Sequence, residues 1–172
     1  QDAKGLLIAA INDSNPVLFF EHKGLYRSIY NDVSENYFTT EIGKAALIKE
    51  GTQLTIISYG APIHWVLEYL ENNATISADL IDLRTLQPLD TETIYTSVKK
   101  TGRVVIVQED SLFGGISSDI SALINEHCFE YLDAPVKRVA SLETPIPFEP
   151  SLEKQYLGKN RLEKTIKELL KY

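Results

Sequence analysis

Leu54–Leu83, LTIISYGAPIHWVLEYLENNATISADLIDL, is the stretch on which the fold turns. It begins with a short, mostly apolar run, Leu54–Tyr59, that ends at Gly60. Next, Ile63, Val66, Leu67 and Leu70 fall at i, i+3, i+4 and i+7, one face of a helix. Pro62 suits the first turn of that helix, where no backbone donor is needed. A second apolar run, Ala78–Leu83, follows. Two apolar strands joined by a helix call for a largely parallel sheet covered on both faces.

The same alternation continues downstream. Asp90 is a good N-cap, Leu89 and Ile94 stand at staple positions, and Gly102 follows Lys99-Lys100 as a stop signal. Arg103–Val107 reads as the next strand and leads to Glu109. The Gly114-Gly115 turn opens a helix with Ile116, Ile120, Leu123 and Ile124 on its apolar face. Val136–Val139 is a further strand. The last helix is expected from Asn160, with Glu163 at the capping-box position and Leu162, Ile166, Leu169 and Leu170 inward. Residues from about 40 to 172 therefore read as one α/β domain, a three-layer, largely parallel sheet flanked by helices with right-handed crossovers. The Pro-rich stretch Thr144–Pro150 reads as an extended loop over that domain.

Upstream the pattern differs. Residues 1–27, QDAKGLLIAAINDSNPVLFFEHKGLYR, open in a helix-like stretch that Asn15-Pro16 ends. Val17–Phe20 then reads as a buried strand. A lone helix and strand cannot bury both their apolar faces, so the expectation is a sheet with further strands upstream, in a longer protein. The polar run Asn31–Asn36 reads as a linker. The expected division is 1–30, a remnant of one domain; 31–39, a linker; and 40–172, the α/β domain.

The composition of the 172 residues, 44% hydrophobic and 24% charged, suits a globular domain of this size. No run approaches the ~20 apolar residues of a membrane-spanning helix. A net charge of −7 argues against a nucleic-acid surface, which needs a basic stripe. Cys128 is the only cysteine, so no internal disulfide forms, a reducing compartment is favoured, and the thiol reads as a buried bystander. His22, His64 and His127 lack metal-ligand spacing. No phosphate-binding loop, dinucleotide fingerprint or serine-hydrolase elbow is present.

Laid out in this way, the chain resembles the β subunit of the decarboxylating component of 2-oxo acid dehydrogenase complexes, within the transketolase superfamily. The resemblance rests on ordered pieces: Asp2–Arg27, Ile42–Glu68, Asp79–Ile94, Lys99–Asp110, Gly114–Ser121, Tyr131–Val139 and Thr144–Phe148. It implies a transketolase C-terminal-like domain from about residue 40, preceded by the last helix and strand of a pyrimidine-binding domain. It implies a parent enzyme that uses thiamine diphosphate and magnesium to decarboxylate a 2-oxo acid and acylate a lipoyl group. Branched-chain substrates are favoured over pyruvate, because FFEHKGLYR looks closer to branched-chain members. The implied partners are an α-type half or subunit, a second β copy and the lipoyl acyltransferase. The acidic balance suits docking to a basic acyltransferase surface. The implied compartment is the bacterial cytoplasm or, in a eukaryote, the mitochondrial matrix. Another transketolase-superfamily enzyme and a non-catalytic α/β interaction module are the rival readings.

The resemblance assigns no catalytic and no cofactor-binding residue to these positions; the activating glutamate and the proton-handling histidine of the family lie upstream. It does place a potassium loop at Ala10, Ile11, Asp13 and Asn15, partly through backbone carbonyls. A helix C-terminus leaves such carbonyls unpaired and partly negative, which suits a hard cation. Glu21, His22, Tyr26 and Arg27 follow the apolar run Val17–Phe20 and read as interface or supporting residues. His64, at a helix start, is expected to be neutral and to serve in capping or in packing near the subunit interface. Glu109, Gly114 and Gly115 fall where a strand gives way to a helix, the functional rim of many α/β sheets, and read as interface or supporting residues, the glycines allowing close approach between subunits or relaxed turn geometry.

Overall fold

The computed structural model describes residues 1–172. A five-stranded mixed sheet forms its centre, with strands β1 (Ala46–Lys49), β2 (Leu54–Ser58), β3 (Ala78–Asp82), β4 (Val104–Ser111) and β5 (Lys137–Ser141). Their order across the sheet is β1-β3-β2-β4-β5. All neighbours run parallel except the edge pair β1–β3, which is antiparallel. Helices α2 (Ala61–Asn72) and α6 (Lys159–Leu169) cover one face; α3 (Thr91–Thr101) and α4 (Ser117–Cys128) cover the other.

Both faces of the central strands are dry, and this explains their continuous apolar runs. Leu54, Ile56, Leu80, Val105 and Val107 pack with Ile63, Val66, Leu162 and Ile166 on one side. Ile57, Ile81, Val104 and Ile106 pack with Ile94, Val98, Ile120 and Ile124 on the other. Each such aliphatic side chain contributes about 1.5–3 kcal/mol on burial, so the two layers dominate the stability of the domain. Cys128 lies in the second layer, its thiol pushed up by burial. His127 lies against Tyr95, ring centroids 5.1 Å apart, so this histidine packs.

Local signals set most element ends. Asp90 caps α3, its carboxylate accepting from the Thr93 N–H at 3.2 Å. Gly102 closes the same helix with φ 67°, and a Cβ there would sit 2.5 Å from Asp133 Oδ2. Below the sheet's N-terminal end, Asp79 is buried and accepts from Gly51 N, Ser97 Oγ and Lys100 Nζ at 2.5–2.8 Å. These bonds satisfy a carboxylate that would be costly to bury alone.

Several expectations are corrected. Val17–Phe20 is extended but forms no strand, and Leu18 and Phe20 are 84% and 88% exposed. A strand needs ladder partners, and no other segment of the chain lies beside this one to supply them. β1 escaped the sequence reading, because its apolar residues Leu47 and Ile48 sit on a short, half-exposed edge. β4 runs past Val107 to Ser111, so Glu109 is inside the strand. Helix α5 (Pro150–Tyr156) begins where the Pro-rich loop ends; Pro occupies its first turn and Glu149 caps it. α6 starts at Lys159 behind Gly158 rather than at Asn160, without a side-chain cap. Glu163 reaches Lys167 at 2.5 Å instead of closing a capping box.

The first helix, α1 (Asp2–Asn12), buries only Gly5. It lies on the segment that follows it: a Cβ on Gly5 would meet Thr40 and Phe38 at 2.2 and 2.8 Å. Lys4 Nζ donates to Ser34 O and Asn36 O at 2.6 and 3.0 Å, and Asn12 Nδ2 donates to Tyr37 Oη at 2.6 Å. The polar run Asn31–Asn36 thus holds α1 as well as connecting it.

Candidate functional site

The chain leaves β2 through α2 to β3 on one side, then returns through α3 to β4 on the other. This reversal of strand order falls at the C-terminal ends of β2 and β4, where open α/β sheets place functional groups. Tyr59 and Gly60 follow β2, Asp82 ends β3, and Glu109 and Asp110 lie just before the end of β4. The N-terminal arm crosses the same rim.

Two pairs tie the arm down. His22 Nε2 lies 3.2 and 3.3 Å from the carboxylate oxygens of Glu109, although 87 residues separate them. Arg84 grips Asp2 with two hydrogen bonds, Nε to Oδ2 at 3.0 Å and Nη2 to Oδ1 at 2.9 Å. Arg84 does so from φ 56°, the one non-glycine residue at positive φ. Its N–H donates to Asp82 Oδ1 at 3.0 Å, so the turn after β3 is closed by the strand's own last residue.

The rim's titrating groups are perturbed by partial burial. Burial raises the Asp82 carboxyl; the Arg84 N–H, the Arg84 charge and His64 pull it back only in part. Burial lowers the His64 imidazole, with Asp82 opposing. His64 is thus biased to the neutral form as expected, but through burial. Burial also raises the Tyr59 phenol, assisted by Asp110 and Glu109. On the arm, a hydrogen bond to Glu21 raises the Tyr26 phenol. Arg27 ends a short 3-10 turn, Lys23–Arg27.

The glycine pair has two distinct jobs. Gly114 turns the chain at φ 74° with open space around its Cα. Gly115 permits close approach: a Cβ there would fall 2.0 Å from Gln108 Nε2 and 2.5 Å from Ser111 O. Gln108 is fully buried, donates from Nε2 to Ser111 O at 2.5 Å and accepts at Oε1 from Ser117 N at 2.8 Å. It fixes the whole 111–117 turn. Sequence reading passed over Gln108, Tyr59, Asp82 and Arg84. Strand-end position could have flagged Tyr59 and Asp82; nothing local marks Gln108 or Arg84.

At the far end of α1, Asp13 Oδ1 accepts from Asn15 N at 2.8 Å and Asn15 Nδ2 at 3.1 Å. These bonds hold the Asp13 carboxyl below its usual range. Ala10 is half-buried and Ile11 is exposed beside it. The rim and this loop are separate: His22, Glu109, His64 and the glycine pair gather at the sheet, whereas Ala10, Ile11, Asp13 and Asn15 lie at the end of α1. No helix is long and apolar enough to cross a membrane.

Fold and rim together define an open three-layer α/β domain whose switch point is polar and crossed by an N-terminal arm. The chain belongs to the transketolase C-terminal domain family: the description of that domain matches residues 43–161. It is 44% identical over 176 residues to the 2-oxoisovalerate dehydrogenase subunit beta of Bacillus subtilis, covering 99% of this chain and 54% of that protein. It is 50% identical over 150 residues to the pyruvate dehydrogenase E1 component subunit beta of the same organism, covering 86% of this chain and 46% of the relative. Among solved structures, a split-gene transketolase, described as an inactive beta4 tetramer, aligns with TM-score 0.66 and 26% identity. That alignment covers 82% of this chain and 46% of the other. The chain spans about half the length of the curated relatives it matches.

Proposed function

We propose that this chain is the C-terminal part of the β half of a 2-oxo acid dehydrogenase decarboxylating component. The parent reaction converts a 2-oxo acid and a lipoyl group to an acyl-dihydrolipoyl group and CO2. The observation that carries this reading is the ordered similarity over 99% of the chain to a subunit of that kind. Both relatives carry 2-oxo acid dehydrogenase names, and both exceed the 26% identity to the transketolase structure, which favours a dehydrogenase over another superfamily member. Branched-chain substrate preference is proposed on the identity at full coverage: 44% to the 2-oxoisovalerate subunit against 41% to a pyruvate dehydrogenase subunit beta of Staphylococcus aureus, each over 99% of this chain. The bacterial sources of both favour a cytoplasmic setting.

Thiamine diphosphate would supply the carbanion chemistry of the parent. The residues present here do not fit its site. Activation of the cofactor ring needs a carboxylate in a closed, water-poor setting. Glu109 is 39% exposed and engaged by His22, and Glu21 is exposed. The cofactor and its magnesium are therefore assigned to other parts of the parent. Residues 1–30 are proposed as the end of the pyrimidine-binding domain, 31–39 as a linker, and 40–172 as the association and docking domain. Exposed Leu18, Phe20, Phe113 and Phe148 support association with an α-type half and a second β copy. The net charge of −7 supports docking to a basic acyltransferase surface. The loop of Ala10, Ile11, Asp13 and Asn15 is proposed as part of a potassium site, supported by the free carbonyls where α1 ends and by the fixed Asp13–Asn15 turn.

Two measurements test the reading. The native β polypeptide, co-expressed with its α-type partner, should release CO2 from 2-oxoisovalerate with a higher kcat/KM than from pyruvate. The reverse order would overturn the substrate preference, and no turnover of either would overturn the dehydrogenase reading. In calorimetry, the 172-residue chain should show no saturable heat with millimolar thiamine diphosphate and magnesium. Saturable binding would mean that the cofactor site had been misplaced.

A further inference from the structure

Two side-chain pairs join residues 1–40 to the sheet domain: Asp2 with Arg84, and His22 with Glu109. No other hydrogen bond or ion pair does so. α1 buries only Gly5, and does so against Phe38 and Thr40 of its own following segment. Lys4 also turns back to that segment, donating to Ser34 O and Asn36 O. The seat of α1 on the sheet therefore rests on the two pairs.

Their anchor points are matched in height. Ser58 of β2 pairs with Asp82 on one side and with Val107 on the other. Arg84 and Glu109 each lie two residues beyond that rung, on the two chain segments that flank β2. Two inter-strand spacings, roughly 10 Å, separate those segments. Arg84 takes its place at φ 56°, a conformation disfavoured for a residue with a Cβ. Its return is a parallel grip on a carboxylate 82 residues away, Nε to Oδ2 at 3.0 Å and Nη2 to Oδ1 at 2.9 Å. A strained residue spent on a distant partner points to a positioning role.

Chain length does not force this arrangement. The 11-residue α1 spans about 16 Å, and the stretch from Asp13 to His22 reaches up to about 33 Å when extended. One exposed pair of this kind is weak. Once one is closed, however, the other lies near its partner and closes at little further loss of freedom. A single point tethers a helix, whereas two separated points also fix its direction.

We infer that Arg84 and Glu109 form a two-point clamp that sets the orientation of α1 on the sheet. Resting on the proposed function, in which α1 belongs to the pyrimidine-binding domain, the clamp fixes that domain against the association and docking domain. Residual dipolar couplings of the 172-residue chain test the clamp. Amides of α1, β2, β3 and β4 should fit one alignment tensor. Arg84→Asn keeps a residue that accepts the left-handed turn and removes the grip; His22→Ala removes the other point. Each should cut the couplings of α1 by about half, a few-fold shift in the clamped population, and leave those of the sheet unchanged. The two together should cut them further. Separate tensors in the wild type, or unchanged α1 couplings in either variant, would overturn the clamp. In the native β polypeptide co-expressed with its α-type partner, both variants should assemble and lose kcat severalfold. Unchanged kcat would overturn the interdomain role. Turnover by the wild-type enzyme tests the dehydrogenase reading separately.

Discussion

Gly115 and Gly114 are adjacent in the chain but constrained by different physics. Adding a methyl group at Gly115 drives Cβ into Gln108 and the Ser111 carbonyl, both fixed by the 111–117 turn. Gly115→Ala is expected to lower stability by about 1–3 kcal/mol, the usual cost of overpacking. Gly114→Ala meets open space and costs only the left-handed backbone, roughly 1–2 kcal/mol. Urea denaturation should place the midpoint of Gly115→Ala at or below that of Gly114→Ala. Asp82 gives a pH-dependent prediction. Burial raises its folded-state pKa above the unfolded value, so the folded chain binds the extra proton. Stability therefore falls as pH rises from the ordinary carboxylate range through the raised folded value, and the cost is full above it. Asp82→Asn keeps an oxygen for the Arg84 N–H and removes the charge. It should be more stable than the parent at pH 7, with the advantage shrinking as pH falls toward 4. Urea midpoints across that range check the sign. The residue-scale signals legible in the sequence were those with a local cause, such as the Asp90 cap and the Gly102 stop. Arg84 at positive φ had no such cause; its conformation is held by Asp82 behind it and Asp2 in front.

Among the elements, α1 depends most on others. With only Gly5 buried, it lacks the apolar stripe that anchors α2 or α6, and an isolated 11-residue helix is marginal in water. Its hold on the sheet is the Arg84–Asp2 pair, with side chains 23% and 38% exposed. Pairs of this exposure contribute about 0.2–1 kcal/mol, less at high salt. Arg84→Ala should therefore speed amide exchange in α1 by only a few-fold and leave the exchange of β2 and β4 unchanged. Exchange measured at low and high salt checks this, since salt should erase the difference. α6 shows the opposite case. Its apolar spacing Leu162, Ile166 and Leu169 was legible, and all three are buried. Its start was not, because Glu163 serves the exposed Lys167 pair and Gly158 packs on Ala140.

In the whole molecule, the double-faced sheet and the N-terminal arm differ sharply in protection. Native-state exchange should show amides of Leu54–Ser58 and Val104–Val107 opening only with global unfolding, and amides of residues 13–40 exchanging far faster. Comparable protection in both regions would mean that the arm is covered. The amino-acid sequence by itself determined the three-layer α/β architecture, because apolar runs on strands and 3.6-residue spacing on helices are local patterns that only a covered sheet satisfies. It also marked His64 and the glycine pair as belonging to strand and helix ends. Tertiary structure alone decided that His22 meets Glu109 across 87 residues, and that β1 joins antiparallel at an edge. It alone left Val17–Phe20 without a ladder. The physical reason is the same throughout: burial patterns are written along the chain, whereas hydrogen-bond and charge partners are chosen in space.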